Sequence, residues 1–458
     1  MNAGKKFKTL LLFSLLLFTP TLWGKQITII GCGYVGLCLA GVLANNGHSI
    51  TCIDIDKDRI ASLNAHTMPL YEPQLQELLF TTNNNLLFSH DLKDTSDIYY
   101  ICVQTPNDAQ ENCNLSFLWS AFSNLLHQLT TPEPKIVCIK STVPPGTMRA
   151  LQNLLVQEHK EHIQLVYNPE FMREGSAIHD IYTNNPVVLC GESDEALQAI
   201  GNIYANFLGT NCTVIKTSFE TGEIIKYAWN SFSALRITFV NELAYLCRIC
   251  NADIKSVIQG IALSEKLLPT ASVIPGPGYG GSCLPKDTNT LANIMGEKGF
   301  SYSLINQTIQ SNKEHKKRIV SDIFSLLGRS HTSCTVTLLG LSFKEHTNDS
   351  TNAPSRDIIQ ALLDNNVTIN AYDPKASDSL KECFPQVNYF NSPYDAVKNS
   401  DCIVVLNAWD EIKNIDLARV ALLCRKKRIF DTKNIWSPEH LHNHGFAYLN
   451  MGLMVKEF

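Results

Sequence analysis

A basic excess is missing from this chain of 458 residues. Its 38 Lys and Arg stand against 43 Asp and Glu, a formal net charge of −5, which leaves no electrostatic footprint for a nucleic acid. Paired C-x-x-C spacing is missing too. The 15 cysteines hold one isolated C-R-I-C at Cys247 and Cys250, so a disulfide framework is not indicated and no metal site is expected. The apolar run Leu10 to Phe18 falls short of the about 20 residues that a membrane-spanning helix needs. What is present is a globular composition, 45% hydrophobic and 18% charged, with chain enough for two or three domains.

The N-terminus conflicts with that soluble character. Lys5, Lys6 and Lys8 precede the apolar run in the layout of a secretory signal, but Leu22 and Gly24 around Trp23 make a poor cleavage region. Three readings of residues 1–24 stand open: an unprocessed or artefactual extension, a membrane-associating tail, and a working export signal. Membrane association is expected only if the run is retained.

Directly afterwards Gln26 to Ile30 reads as a strand running into Gly31-Cys32-Gly33-Tyr34-Val35-Gly36. A helix from Val35 to Asn46 follows, Gly47 stops it, and a second strand Ser49 to Ile53 ends in Asp54. G-x-G-x-x-G alone is weak; between a strand and a helix, with an acid about 20 residues on, it specifies a dinucleotide whose ribose diol the acid binds, hence NAD over NADP. The alternative is that Asp54 merely caps the next helix, a task open to Asp56. Buried-strand runs at Ile98 to Val103, Ile136 to Ile139 and Leu165 to Tyr167 continue the alternation of a doubly wound parallel sheet. Ligands gather at the carboxyl ends of such strands. Those ends carry Thr105, Thr142 and the segment Asn168-Pro169-Glu170-Phe171-Met172-Arg173-Glu174-Gly175, whose two acids could also be a surface pair on a helix start.

From Ser218 to Arg248 no proline interrupts a helical pattern, about 45 Å of helix and longer than one domain needs. Glu223, Lys226 and Asn230 share one face of it. Tyr227, Ala228, Trp229, Phe232 and Leu235 crowd around them, so that end is expected to be buried. Next comes Gly276-Pro277-Gly278-Tyr279-Gly280-Gly281-Ser282-Cys283-Leu284-Pro285-Lys286-Asp287, too rich in glycine and proline for helix or strand. It reads as a loop delivering Cys283 to a helix start, where unpaired N–H groups favour a thiolate or an oxyanion. A further helix spans Tyr302 to Leu327, with Asn306 and Asn312. Alternation then resumes at Thr335 to Leu341, Ser355 to Asp364, Val367 to Tyr372, Cys402 to Leu406 and a final strand Arg428 to Phe430. With no glycine fingerprint there, a second dinucleotide is not implied.

The cysteine run resembles the catalytic motif of the nucleotide-sugar 6-dehydrogenases, and its Tyr-Gly-Gly wording is most similar to the UDP-glucose branch of that family. Further matches run in family order from Gln26 to Asn434, nearly the whole chain. The resemblance implies an α/β architecture with an N-terminal Rossmann NAD-binding domain over 25–216, a central long-helix domain over 217–328 that forms a homodimer, and a Rossmann-like UDP-sugar domain over 329–458. It implies NAD as cofactor, held by Gly31, Gly33, Tyr34, Val35, Gly36, Asp54, Arg59, Thr105, Thr142, Glu174 and Lys286. UDP-glucose is the implied substrate, met by Glu170, Phe171, Met172, Arg173, Lys226, Asn230, Gly276, Gly280 and Lys344. The implied chemistry is a four-electron oxidation through a covalent Cys283 thiohemiacetal and thioester, with Lys226 and Asn230 steadying the oxyanion and Asp287, Glu170 and Thr142 positioning water. A cytoplasmic setting follows. Three arginines usual in the family are replaced, by Leu267, Thr351 and Lys433, which is expected to cost affinity rather than turnover. Another UDP-N-acetylhexosamine or GDP-mannose substrate, or a silent NAD-binding scaffold, stays open; the retained Cys283, Lys226, Asn230 and Asp287 argue against the scaffold.

Overall fold

The computed structural model describes residues 24–81, 85–183, 186–209, 212–262, 274–300, 302–328 and 333–453. Residues 1–23 of the signal-like segment and Leu267 lie outside the described residues. Two parallel-rich sheets flank a helical middle. In the first, β1 (Gln26–Ile30), β2 (Ser49–Ile53), β3 (Leu86–Ser89), β4 (Ile98–Ile101), β5 (Lys135–Ile139), β6 (Ile163–Tyr167), β7 (Val187–Cys190) and β8 (Val214–Thr217) pair in the order β3-β2-β1-β4-β5-β6-β7-β8. Only the β6–β7 pairing is antiparallel. In the second, β9 (Thr335–Leu339), β10 (Thr368–Tyr372), β11 (Asn388–Tyr389), β12 (Cys402–Val405), β13 (Arg428–Asp431) and β14 (Ala447–Asn450) pair in the order β11-β10-β9-β12-β13-β14. Both orders reverse at their first strand, the switch point at which doubly wound sheets bind ligands.

The continuous apolar runs that signalled β4 and β12 are buried along their whole length, as strands covered by helices on both faces require. The edge strands β3 and β11 and the terminal β14 carry too little β-branched sequence to be legible. Arg428–Asp431 is therefore not the last strand, because Ala447–Asn450 follows and pairs with it.

Register lines up the ligand edge. Ile53, Ile30, Ile101, Ile139 and Tyr167 are successive partners across the first sheet. The residues that follow each of them therefore emerge at one edge: Asp54, Gly31, Thr105, Thr142 and Glu170. Across the second sheet Tyr372, Leu339, Val405, Asp431 and Asn450 form the matching row. Between the sheets runs the long helix Phe219–Ile249, capped by the Ser218 hydroxyl accepting from the Thr221 N–H. The cysteine helix Leu284–Glu297 and the helix Leu304–Leu327 pack on it.

Candidate active site

The dinucleotide turn is built for close approach. A Cβ at Gly36 would collide with the Gly31 carbonyl, whereas one at Gly33 would meet nothing within 4 Å. The first turn thus packs tightly on the strand while its outer side lies open before the helix Tyr34–Asn45, whose cap residue Gly33 offers no side chain to the first N–H groups. An open helix start of this kind suits a pyrophosphate. Asp54, 8% exposed, accepts from the Cys32 N–H at 2.7 Å and the Asp56 N–H at 2.9 Å, and Arg59 lies 3.3 Å from it. Asp56 itself caps the helix Lys57–Asn64, so the capping role does not fall to Asp54. A carboxylate has about four lone-pair directions, which leaves acceptor capacity for a ribose diol, and these residues fit NAD. Asp54→Asn is expected to weaken NAD binding about ten- to a hundredfold, the loss of one or two charge-assisted bonds, without conferring tight NADP binding; titration of both cofactors checks it, and a wild-type preference for NADP would contradict it.

At two of the strand ends expected to meet NAD, the Thr105 hydroxyl donates to the Thr142 carbonyl at 2.8 Å, tying those ends together. Thr142 is half-buried. The turn after it is fixed from the long helix, because the buried Glu223 carboxylate accepts the Gly146 and Met148 N–H groups at 2.7 Å each. That role was invisible in sequence, where Glu223 reads only as a neighbour of Lys226.

Residues 168–176 form no helix, which removes the surface-pair reading of Glu170 and Glu174. Lys226, 2% exposed, donates to the Glu170 carbonyl at 2.6 Å and to its Oε1 at 2.9 Å, while the Met172 N–H donates to Oε2 at 2.7 Å. Burial would raise the Glu170 carboxyl, but the Lys226 ammonium and these bonds outweigh it and hold it below the usual carboxylate range. The Lys226 ammonium also sits 5.3 Å over the Phe171 ring. One turn along, Asn230 donates its amide to Asp287 Oδ2, and the Lys286 ammonium pairs with Oδ1; Asp287 is 1% exposed. The crowding expected from Trp229 and Phe232 is not what buries the polar pair. Those two rings are 45% and 55% exposed, although Trp229 packs edge-on against Phe171 at 5.1 Å; the pair is closed in by Glu170, Phe171 and Asp287.

Cys283 caps the cysteine helix, its carbonyl accepting the Asp287 N–H at 2.9 Å. Its side chain is open to the cleft yet ringed by protein. Here the sequence expectation needs correction: burial first, then the Glu170 charge, push the thiol up to about 11, with Lys226 pulling only partly the other way. That shift favours the thiol over the thiolate.

The loop before Cys283 is held by three polar side chains from neighbouring helices. Asn312 clamps Tyr279, accepting its N–H at 3.0 Å and donating to its carbonyl at 3.1 Å. The Gly276 N–H donates to Asn241 at 2.9 Å, and the Gly276 carbonyl lies 2.8 Å from His315 Nε2. All three are at least 95% buried; sequence reasoning singled out only Asn312, and a buried polar residue inside an amphipathic helix was the available signal for the others. A Cβ at Gly280 would collide with the Asn352 carbonyl, so glycine is needed where the second sheet's domain meets the loop.

That contact changes the picture of the replaced arginines. The Thr351 carbonyl accepts the Gly281 N–H at 2.8 Å, and Lys433 stands 3.4 Å from where a Gly276 Cβ would be. Both positions border the cysteine loop and are not remote from it. Lys344, half-buried, is held below its usual range by burial, against the pull of Glu174 and Glu345. Arg173 is committed to Asp180, at 2.9 and 2.6 Å. Glu174 reaches Ser282 Oγ at 3.1 Å and Thr347 Oγ1 at 3.3 Å. The Gly175 N–H is shared between the Tyr34 hydroxyl at 2.8 Å and Glu72 at 2.6 Å; Glu72 gave no signal in the sequence. Among the described residues no cluster of metal-ligating side chains occurs, and no helix is long and apolar enough to cross a membrane.

Known proteins resemble this chain in sequence and fold. Over 439 residues the chain is 35% identical to the UDP-glucose 6-dehydrogenase TuaD of Bacillus subtilis strain 168, covering 93% of each. Over 442 residues it is 32% identical to the UDP-glucose 6-dehydrogenase of Rickettsia bellii strain RML369-C, covering 94% of this chain and 100% of that one. The fold matches that of a UDP-glucose dehydrogenase from the hyperthermophilic archaeon Pyrobaculum islandicum with a TM-score of 0.86 at 24% identity, over 95% of this chain and 100% of that one. Family descriptions match in order: the NAD binding domain at 25–208, the central domain at 220–314 and the UDP binding domain at 337–438. With all three domains present in sequence and the two switch-point edges facing one cysteine loop, the chain belongs to the UDP-glucose/GDP-mannose dehydrogenase family.

Proposed function

We propose that this protein oxidises the C6 alcohol of UDP-glucose to a carboxylate, giving UDP-glucuronate, with NAD as the oxidant. The observation that carries the reading is the meeting of Cys283 with the Lys226–Glu170 pair and the Asn230–Asp287 pair. Bound NAD supplies a hydride acceptor, used once for the alcohol and once for the thiohemiacetal. The protein supplies the rest. Lys226 and Asn230 stabilise the alkoxide at C6, placing fixed donors where charge develops. Cys283 adds to the aldehyde, so that the second oxidation yields a thioester; without the thiol the aldehyde would be the end point. Asp287, Glu170 and Thr142 orient the water that hydrolyses the thioester. The domain limits 25–216, 217–328 and 329–458 belong to the same proposal, as do the assignments of cofactor and substrate contacts given by resemblance, and a cytoplasmic setting, supported by fifteen free cysteines.

The choice of UDP-glucose over UDP-N-acetylhexosamines or GDP-mannose is supported by Tyr279-Gly280-Gly281-Ser282-Cys283 and by the names of the relatives at 32–35% identity. A nucleotide-sugar panel tests it: kcat/KM should be highest for UDP-glucose, and a higher value for any other sugar would overturn the assignment.

A homodimer through the long helix is also proposed. Phe232, Phe239 and Leu246 are seven apart, flanked by Trp229 and Ile249, and all five are 45% or more exposed. That is the seam spacing of packed helices. Sedimentation velocity should give a dimer for the wild type and a monomer for Phe232→Glu; a monomeric wild type would contradict the proposal.

A further inference from the structure

A thiol pushed up to about 11 must lose its proton before it can add to a carbonyl, and none of the residues given chemistry above is placed to take it. Lys226 is engaged with Glu170, and Asp287 with Asn230 and Lys286. The hydrogen bonds around Cys283 lead elsewhere. Ser282 Oγ donates to Glu174 Oε1 at 3.1 Å and lies 3.6 Å from Cys283 Sγ. Because the hydroxyl hydrogen is committed to the carboxylate, the serine can only accept from the thiol, and the chain of donors runs one way, from sulfur to Ser282 to Glu174.

We infer that Ser282 and Glu174 form a proton relay that activates Cys283. The inference rests on Cys283 being the nucleophile. As the Sγ–C bond forms and the carbonyl π pair moves onto oxygen near Lys226 and Asn230, the thiol proton passes to Ser282 Oγ. The serine's own proton passes to Glu174 Oε1. No electrons leave the system in this step. When the thioester is hydrolysed the same path runs backwards and returns a proton to the departing thiolate. Ser282 touches the reacting sulfur; Glu174 acts through it.

The surroundings suit Glu174 to this task. Burial raises its carboxyl, with Asp349 adding repulsion and Ser282, Lys344 and Thr347 opposing, for a result of about 7. A base titrating near neutral pH is ionised often enough to accept and acidic enough to give back. The charged groups facing it are Lys344 and Asp349 from the second sheet's domain. The first helix contributes the buried Cys38, whose thiol the Glu174 charge helps to raise.

The test is the pH dependence of Cys283 alkylation by iodoacetamide in the unliganded full-length protein, read on the Cys283 peptide by mass spectrometry between pH 5.5 and 9.5, as about the range in which neutral-pH bases titrate. The relay predicts a rise with an inflection near 7, far below the thiol's own ionisation. Ser282→Ala and Glu174→Gln should lose the inflection and react about a hundredfold more slowly near neutral pH, the low end of general-base contributions. Simple electrostatics predicts the opposite sign for Glu174→Gln, since deleting a nearby negative charge favours a thiolate. Thr347→Val, which removes the other bond to Glu174 but leaves the relay, should keep the inflection, and the exposed Cys383 should react alike in all variants if the fold is intact. A featureless rise with pH in the wild type, or equal or faster alkylation in Glu174→Gln, overturns the relay, as does loss of the inflection in Thr347→Val. Failure of the nucleophile reading is seen separately, as acid formation persisting in Cys283→Ser.

Discussion

Cys283→Ser is expected to bind NAD and UDP-glucose with little change and to lose acid formation by roughly three or more orders of magnitude, as nucleophile deletions do. The reason lies in what the sulfur touches and what it does not. Its side chain opens into the cleft and holds no part of the fold together beyond its 3.6 Å contact with Ser282. The loop is anchored instead by Asn241, Asn312 and His315, which the substitution leaves alone. A serine hydroxyl is a far weaker nucleophile at neutral pH and the relay would have to remove a more tightly held proton. Steady-state production of UDP-glucuronate, with cofactor and substrate affinities measured by calorimetry, checks this. Normal acid production would remove Cys283 from the chemistry.

The second large effect is on stability as well as rate. Lys226→Ala leaves the Glu170 carboxylate buried without its cation, and breaking a buried pair from one side costs about 3–5 kcal/mol. The sign of the pH dependence separates this from simple loss of packing. In the wild type Glu170 is held below its ordinary 4.5, so its contribution is present above that value and fades only as the pH falls through the depressed folded value. In Lys226→Ala only the Met172 N–H and the Lys140 charge are left to oppose burial, and the folded value rises above the unfolded one. Folded protein then binds more protons than unfolded, and stability should recover in part as the pH is lowered from 7.5 towards 5.5. Urea melts at the two pH values should show a large deficit for the variant at 7.5 and a smaller one at 5.5. Equal deficits at both would mean that Glu170 does not depend on Lys226 for its charge.

Much of this was readable before any coordinates. The strand–glycine–helix passage from Gln26 to Asn46 and the buried runs of β4, β5 and β12 betrayed themselves because local pattern and tertiary burial agree there. The loop from Gly276 to Asp287 was legible for the opposite reason, since its composition forbids regular structure. Illegible were the features that depend on residues far apart in the chain. Glu223 fixing the Gly146 turn, Glu72 fixing Gly175, and Asn241 and His315 fixing Gly276 are buried polar anchors whose partners lie between 35 and 103 residues away, and nothing in local spacing announces them. The direction in which the Cys283 thiol is shifted was hidden for the same reason. A helix start favours a thiolate, but the Glu170 carboxylate, brought in from 113 positions earlier in the chain, and the burial around it weigh against that charge. Placement of Thr351 and Lys433 also needed the fold, because the packing of 351–353 on Gly280 and Gly281 and of Lys433 beside Gly276 reveals that both border the cysteine loop.

The central claim is that one cleft carries an alcohol through to an acid by way of a thioester on Cys283. The most direct test is the ratio of NADH formed to UDP-glucose consumed at completion, with the product identified by mass. The account predicts a ratio of two and UDP-glucuronate as the product. A ratio of one with release of the 6-aldehyde, or no NADH at all, would contradict it.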